Sequence, residues 1–259
     1  MLKHLRVAFL LYVLLVVAVG EYLTSVRNKD WNNTLWVAVY PVDGDGNPAT
    51  QEYLDNLAPA EFMELDRFFV GQGHRYGLQL DRPFRFDLRS QYRGGLPQLD
   101  PNASMLGVMV WSLRMRWQSW RTEWASSEPT PDIVLYAVYF AADDGAVLDR
   151  STALRKGMIA VANVFASPSA QGSNGVVMAH ELLHTLGATD KYDLATTLPL
   201  FPDGYAAPSA RPLLPQKQAE LMGGRVPISQ DSAEIPGSLA RVVIGPATAR
   251  EIGWPDTSH

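Results

Sequence analysis

The sequence predicts an α/β (α+β) fold from three observations. Apolar runs of strand length, Leu35–Tyr40, Ile133–Phe140 and Met158–Phe165, are separated by helical patterns over residues 50–75 and 103–125. At 259 residues, 47% hydrophobic with seven tryptophans, the chain can bury a real core as one globular domain. No internal repeat, low-complexity tract or linker divides it.

The chain opens on a targeting pattern. Lys3, His4 and Arg6 precede Val7–Gly20, fourteen residues without a charge. A basic stretch followed by an apolar one is the pattern of an export signal. Fourteen residues are short for a spanning helix, which needs about 20. Ala18-Val19-Gly20 offers small residues for cleavage, yet the apolar character continues through Tyr22, Leu23 and Val26. Residues 1–26 are therefore expected to be either a signal peptide or an N-terminal membrane anchor formed by residues 5–26. Both place residues 31–259 outside the cytoplasm, in a periplasmic or extracellular location.

Leu35–Tyr40 reads as a strand bounded by Pro41. Asp43-Gly44-Asp45-Gly46-Asn47 begins like a calcium loop, but Pro48 stands where such a loop needs glycine and Leu54 where it needs glutamate. A turn before a helix is the expectation. Residues 50–75 are helical in pattern, with Pro59 at a second start. Phe84–Leu88 alternates like a strand. Over residues 103–125, Leu106, Val110, Leu113, Trp117, Trp120 and Trp124 recur at steps of three and four, forming one apolar stripe. Arg114, Arg116 and Arg121 lie off it. The stripe is expected to pack into the core with a solvated basic side, the alternative being a face for a membrane surface or a substrate.

The chemistry is concentrated in His180-Glu181-Leu182-Leu183-His184-Thr185-Leu186-Gly187-Ala188-Thr189-Asp190. A helix turns about 100° per residue, so His180 and His184 lie one turn apart on one face and both imidazoles can reach one metal ion. Glu181 is rotated roughly 100° from His180, placed to touch a water at that metal rather than to ligate it. Gly187 is where the helix can stop, since glycine enters the left-handed region freely. The chain can then fold back to offer Asp190 as a third ligand, which leaves one position open on a four-coordinate zinc ion. Val176, Val177, Leu182, Leu183 and Leu186 give the helix apolar flanks, and Ser173 or Asn174 is the expected N-cap. A bland alternative is a core helix whose histidines are simply hydrogen-bonded. Of the other histidines, His4 and His259 are terminal and only His74, expected in a surface loop, rivals Asp190 as third ligand.

The motif resembles that of the metzincin clan of zinc metallopeptidases, in the variant whose third ligand is aspartate. Leu186–Asp193 is similar to the segment after the zinc helix in immune-inhibitor-A-type peptidases. Ala219-Glu220-Leu221-Met222-Gly223-Gly224 resembles the clan's Met-turn, which sets a methionine beneath the metal. The resemblance covers about residues 157–224. It implies His180, His184 and Asp190 as Zn2+ ligands, Glu181 as general base and Met222 as the floor of the site. It implies a mixed twisted sheet, a zinc helix lining a cleft, an N-terminal lobe of about residues 31–187 and a smaller C-terminal lobe of about 188–259 carrying the Met-turn. It also implies that Gly157–Asn163, as an edge strand, pairs with an extended peptide. One departure is Gly224, where some metzincins have a tyrosine that acts at the metal.

Residues 195–218, with Pro199, Pro202, Pro208, Pro212 and Pro215, are expected to form an ordered loop framing the cleft. Tyr192 and Tyr205 are candidate oxyanion donors, though packing roles are the plainer expectation. Pro246–Gly253 reads as a short helix.

Composition narrows the alternatives. A net charge of −5 gives no footprint for nucleic acid. The absence of cysteine excludes disulfides, thiolate ligands and cysteine-based latency. No Gly-x-Ser-x-Gly elbow is present. The expectation is an exported metalloendopeptidase acting on a protein or peptide, with a membrane partner if its N-terminal segment stays uncleaved. A membrane-tethered peptide-capture module without catalysis, and a structural zinc protein of the cell envelope, are the alternatives.

Overall fold

The computed structural model describes residues 30–98, 103–142, 151–154 and 158–255. The expected signal or anchor at residues 1–26 lies outside them, as do His4 and His259. Among the described residues no helix is long and apolar enough to cross a membrane.

The chain forms β1 (Leu35–Asp43), α1 (Pro48–Asp55), α2 (Met63–Arg75), β2 (Phe84–Leu88), α3 (Met105–Ala125), β3 (Ile133–Phe140), β4 (Thr152–Leu154), β5 (Ile159–Phe165) and α4 (Gln171–Thr185). The sheet has five strands in the order β2-β1-β3-β5-β4. The first four are mutually parallel and β4 runs antiparallel along β5. The fold is thus a mixed α/β arrangement. β1 and β3 are buried along nearly their whole length, as parallel strands covered on both faces must be.

Alternate residues face opposite layers. Val37, Val39, Leu135 and Ala137 point into a large cluster with Leu65, Phe68 and Phe69 of α2 and Ala179, Leu182 and Leu183 of α4. Ala38, Tyr40, Val134, Tyr136 and Val138 point the other way, into a smaller cluster closed by Trp111 and Met115 of α3. After α4 the chain makes only short elements: β6 (Ala219–Glu220), β7 (Val226–Pro227), β8 (Ala233–Glu234), β9 (Val242–Val243) and α5 (Pro246–Glu251). Their apolar residues Leu221, Met222, Ile244, Ile252 and Trp254 join the large cluster. Trp31 Nε1 donates to Ile252 O at 2.8 Å and Tyr76 OH to Ile244 O at 2.8 Å, tying this segment to the first half of the chain.

The Asp43–Asn47 segment is a helix-entry turn. Asp43 Oδ1 accepts from Gly46 N at 2.8 Å, and the Asn47 side chain caps α1 by accepting from Ala49 N.

The structure corrects two expectations. Ile159–Phe165 is not an edge strand, because β3 flanks it on one side and β4 on the other. Among the described residues the edge on that side is β4, only three residues long and too short to stand out as a strand in sequence.

The second correction concerns α3. Leu106, Val110, Leu113, Trp117, Trp120 and Trp124 are all exposed, and the buried face is Trp111, Met115 and Ser119. The physical reason is that this helix is apolar on two opposite sides. Its orientation is set by contacts that periodicity does not reveal: Trp111 Nε1 donates to Pro97 O at 2.7 Å and Tyr40 OH to Glu123 Oε1 at 2.8 Å.

A pair of substitutions tests that orientation. Met115, with no exposed surface, should lose about 2–5 kcal/mol of stability as Met115→Ala. Leu113→Ala, two positions away on the outer side, should change stability by less than about 0.5 kcal/mol. Urea unfolding of both variants checks the difference, and equal losses would contradict the orientation.

Candidate metal centre

α4 follows β5 through a 3₁₀ turn, Pro168–Ala170. Neither Ser173 nor Asn174 caps it, because the helix begins at Gln171 and both lie inside the first turn. Ser173 Oγ donates to Ala170 O at 2.9 Å. Asn174 instead grips the end of β5, accepting from Phe165 N at 3.0 Å and donating to Phe165 O at 2.8 Å. That buried amide fixes the helix against the strand that precedes it.

Gly187 ends the helix as its position suggests. Its φ is 95°, and the turn closes with Ala188 N donating to Leu183 O at 3.1 Å and Gly187 N to His184 O at 3.0 Å. The same turn orients a site residue, since Ala188 O faces His184 Nδ1 at 2.8 Å. His180 Nδ1 faces Leu221 O at 3.0 Å. Backbone carbonyls only accept, so each Nδ1 carries the hydrogen and donates it. Each neutral imidazole therefore presents a bare lone pair at Nε2.

Those lone pairs converge. His180 Nε2 and His184 Nε2 lie 3.0 Å apart, and Asp190 Oδ1 lies 3.1 Å from each. Three acceptors at such distances repel unless a proton or a cation sits among them. Donors around a four-coordinate zinc ion, with bonds of about 2.0–2.2 Å, stand about 3.3–3.6 Å apart, so this triangle is a few tenths of an ångström smaller than such an ion needs. One carboxylate oxygen of Glu181 lies within 4.8 Å of a nitrogen of each histidine, close enough for a water to bridge them. Glu181 is buried.

The electrostatics follow from the geometry. Burial disfavours the charged form of His180, but the Asp190 carboxylate and the nearby Glu181 more than offset it, and its pKa is raised. Burial alone would raise the Asp190 pKa, yet donation from the two imidazoles, which requires an added proton at Nε2, and the positive charge that proton brings hold it well below the usual carboxylate range.

Asp190 sits in a braced arch whose supports were not evident in sequence. Glu251, from α5, accepts from Thr189 N at 2.9 Å, Thr189 Oγ1 at 2.8 Å and Lys191 Nζ at 2.8 Å. Lys191 N donates to Met222 O at 2.9 Å. The residues on both sides of Asp190 are thereby fixed. Glu251 lies 60 residues beyond Lys191 in an ordinary charged helix end, so only the fold reveals its role.

After β6, Leu221–Gly223 form a 3₁₀ turn with Met222 fully buried. Its neighbour Leu221 supplies the carbonyl that holds His180, while Met222 supplies the one that holds Lys191. The turn thus touches the ligand frame on two sides. Its two glycines have separate reasons. A Cβ on Gly223 would overlap Gly204 O, and Gly224 has φ 71°. Buried Glu220 locks the turn by accepting from Gly223 N at 2.8 Å, Gly245 N at 2.9 Å and Thr248 Oγ1 at 2.7 Å. Burial raises its pKa despite those donors.

Tyr192 follows the arch, its ring 6.2 Å from that of His180 and beside Gly224. Tyr205 packs edge-on against Phe201 instead. His74 lies exposed on the last turn of α2 rather than in a loop, and is not part of the cluster.

Glu251 generates a pH prediction. Burial opposes its ionisation, but the Lys191 and Thr189 hydrogen bonds outweigh that and lower its pKa from 4.5. A depressed carboxyl pKa contributes stability above the unfolded value that is lost as pH falls through the folded one. Glu251→Gln should therefore flatten the loss of stability between about pH 5 and pH 3. Urea midpoints across that range check it, and parallel curves for variant and wild type would refute it.

No family model matches the chain, and no curated protein matches it in sequence, so the functional reading stands on the geometry of the site.

Proposed function

We propose that the chain is a zinc-dependent metalloendopeptidase. One observation carries the reading: His180 Nε2, His184 Nε2 and Asp190 Oδ1 converge within 3.0–3.1 Å as three acceptors, with their orientation fixed from behind by backbone carbonyls. The donor set fits zinc, which takes imidazole and carboxylate ligands and keeps a fourth position open in catalytic sites. The resemblance of residues 180–190 and 219–224 to metzincins supports the same reading.

A zinc ion bound there would supply a Lewis acid for the scissile carbonyl and lower the pKa of a bound water to near 7. The remaining work falls to residues of this chain. Glu181, on the same helix but turned toward the gap between the imidazoles, takes the proton of the attacking water and returns it to the leaving amine. Tyr192 is the better placed of the two tyrosines to donate to the developing oxyanion, being beside the His180 ring. Nδ1–H donation to Leu221 O and Ala188 O makes both imidazoles better ligands and prevents ring flips. β4, which packs beside α4 and is outermost on that side of the sheet among the described residues, offers backbone groups on which an extended peptide can align. Export, anticipated from Val7–Gly20, belongs to the same proposal.

The test is zinc content and peptide hydrolysis on the full chain, with denatured casein as substrate. Wild type should hold close to one zinc per chain. Glu181→Ala should keep the zinc and lose hydrolysis by about 10²–10⁴-fold. His184→Ala should lose both. A zinc-free, folded wild type after metal repletion would overturn the site, and a Glu181→Ala variant as fast as wild type would overturn the mechanism.

A further inference from the structure

Among the described residues, the outer side of α3 carries most of the exposed large hydrophobic side chains. Of the fourteen large hydrophobic residues exposed among the described residues, nine lie on this helix: Met105, Leu106, Val108, Met109, Val110, Leu113, Trp117, Trp120 and Trp124. At about 100° per residue, Leu106, Leu113, Trp117, Trp120 and Trp124 fall within about 60° of one another, roughly opposite the buried Trp111, Met115 and Ser119. The three tryptophans are 59%, 50% and 78% exposed. They form a ladder, with centroids 5.0 Å apart from Trp117 to Trp120 and 5.4 Å from Trp120 to Trp124. By the same rotation Arg114 and Arg121 flank the stripe on one side and Arg116 on the other. Within α3 the only acidic residue is Glu123, and its carboxylate is engaged by Tyr40 OH.

We propose that this face of α3 is a membrane-docking surface that lies in the headgroup region of an anionic bilayer. Three features select a bilayer over other occupants. Tryptophan with leucine and methionine, edged by arginine on both flanks, is the composition of helices that lie in the plane of a lipid interface. The arginines complement anionic headgroups, worth about 1 kcal/mol each near such a surface. The third feature is the chain outside the described residues. Its apolar stretch runs to Val26, and Trp31 is already fixed in the core against Phe84 and Trp254. Five residues reach at most about 18 Å. If that stretch enters a bilayer, the domain is held close to the lipid, and among the described residues α3 carries the apolar surface suited to meet it. The inference does not depend on the zinc site.

The seven tryptophans make the test direct. None precedes Trp31, and only Trp117, Trp120 and Trp124 are among the exposed ones. The full chain is reconstituted into vesicles of phosphatidylcholine and phosphatidylglycerol in equal parts, with plain or brominated acyl chains. Tryptophan emission should fall by roughly three sevenths in the brominated vesicles, the share of the tryptophans that the stripe contains. The double variant Leu106→Glu/Leu113→Glu keeps every tryptophan and changes only exposed positions. Its emission should return to the plain-vesicle level with its circular dichroism unchanged. Vesicles without phosphatidylglycerol should give weaker quenching of the wild type. Equal emission from the wild type in plain and brominated vesicles would overturn the proposal, whether a second copy or the chain's own residues 7–20 cover the stripe instead. Quenching undiminished in the double variant would also overturn it.

Discussion

Donation of each site imidazole's Nδ1–H to a backbone carbonyl is the constraint on which the rest of the site depends. It decides which nitrogen of His180 and His184 faces inward, and so turns two histidines and an aspartate into three lone pairs aimed at one point. The two carbonyls come from different parts of the chain. Ala188 O belongs to the turn that ends α4, whereas Leu221 O belongs to the 3₁₀ turn some forty residues on. Any motion of either turn would release a ring. The tight approach of Gly223 to Gly204, and of Gly204 to Lys191, shows how closely the segments around the site are stacked.

The segment from residue 188 onward has little regular secondary structure, and its backbone groups need partners other than strand ladders. Side chains provide them, buried ones at Glu220 and Gln216 and an exposed one at Asp193. Glu220 accepts from two backbone N–H groups and a hydroxyl. Gln216 accepts from Ala207 N and donates to Ala207 O and Leu213 O, organising the proline-rich loop. Asp193 accepts from Ala195 N and Thr196 N. A carboxylate that gathers backbone donors in a dry place is costly to ionise without them and stabilising with them, which is why removing one partner hurts more than the bond itself is worth. The buried polar groups around the site are therefore what allows irregular chain to be held rigidly behind the candidate ligands.

This division explains what could be read from sequence. The His180–His184 spacing and the stop at Gly187 are local patterns, set by helix periodicity and by a glycine's conformational freedom, and local patterns survive in one dimension, whereas the turn around Met222 was expected only from the resemblance. Glu251 and Glu220 act across the fold, and nothing in their neighbourhoods marks them. The expected cap at Ser173 or Asn174 failed because a 3₁₀ turn begins the helix earlier, leaving Asn174 free to hold β5. The β5 assignment as an edge failed because its neighbour is three residues long. For α3 the periodicity was right and the side was wrong: a helix apolar on two opposite faces carries no signal about which face the sheet takes.

The sheet then relates the two surfaces. α4, with the candidate ligands, packs in the large cluster on one face, while α3 covers the other. Residues of β1 and β3 alternate between them, so the same strands are the floor of both layers. A domain resting on a bilayer through α3 would have the sheet between the lipid and α4, with the ligand triangle on the far side. The chain is acidic overall, at −5, so attraction to anionic headgroups has to come from a local basic edge such as the arginines of α3. Docking through that face would orient the molecule as well as hold it, with His180, His184 and Asp190 turned away from the lipid.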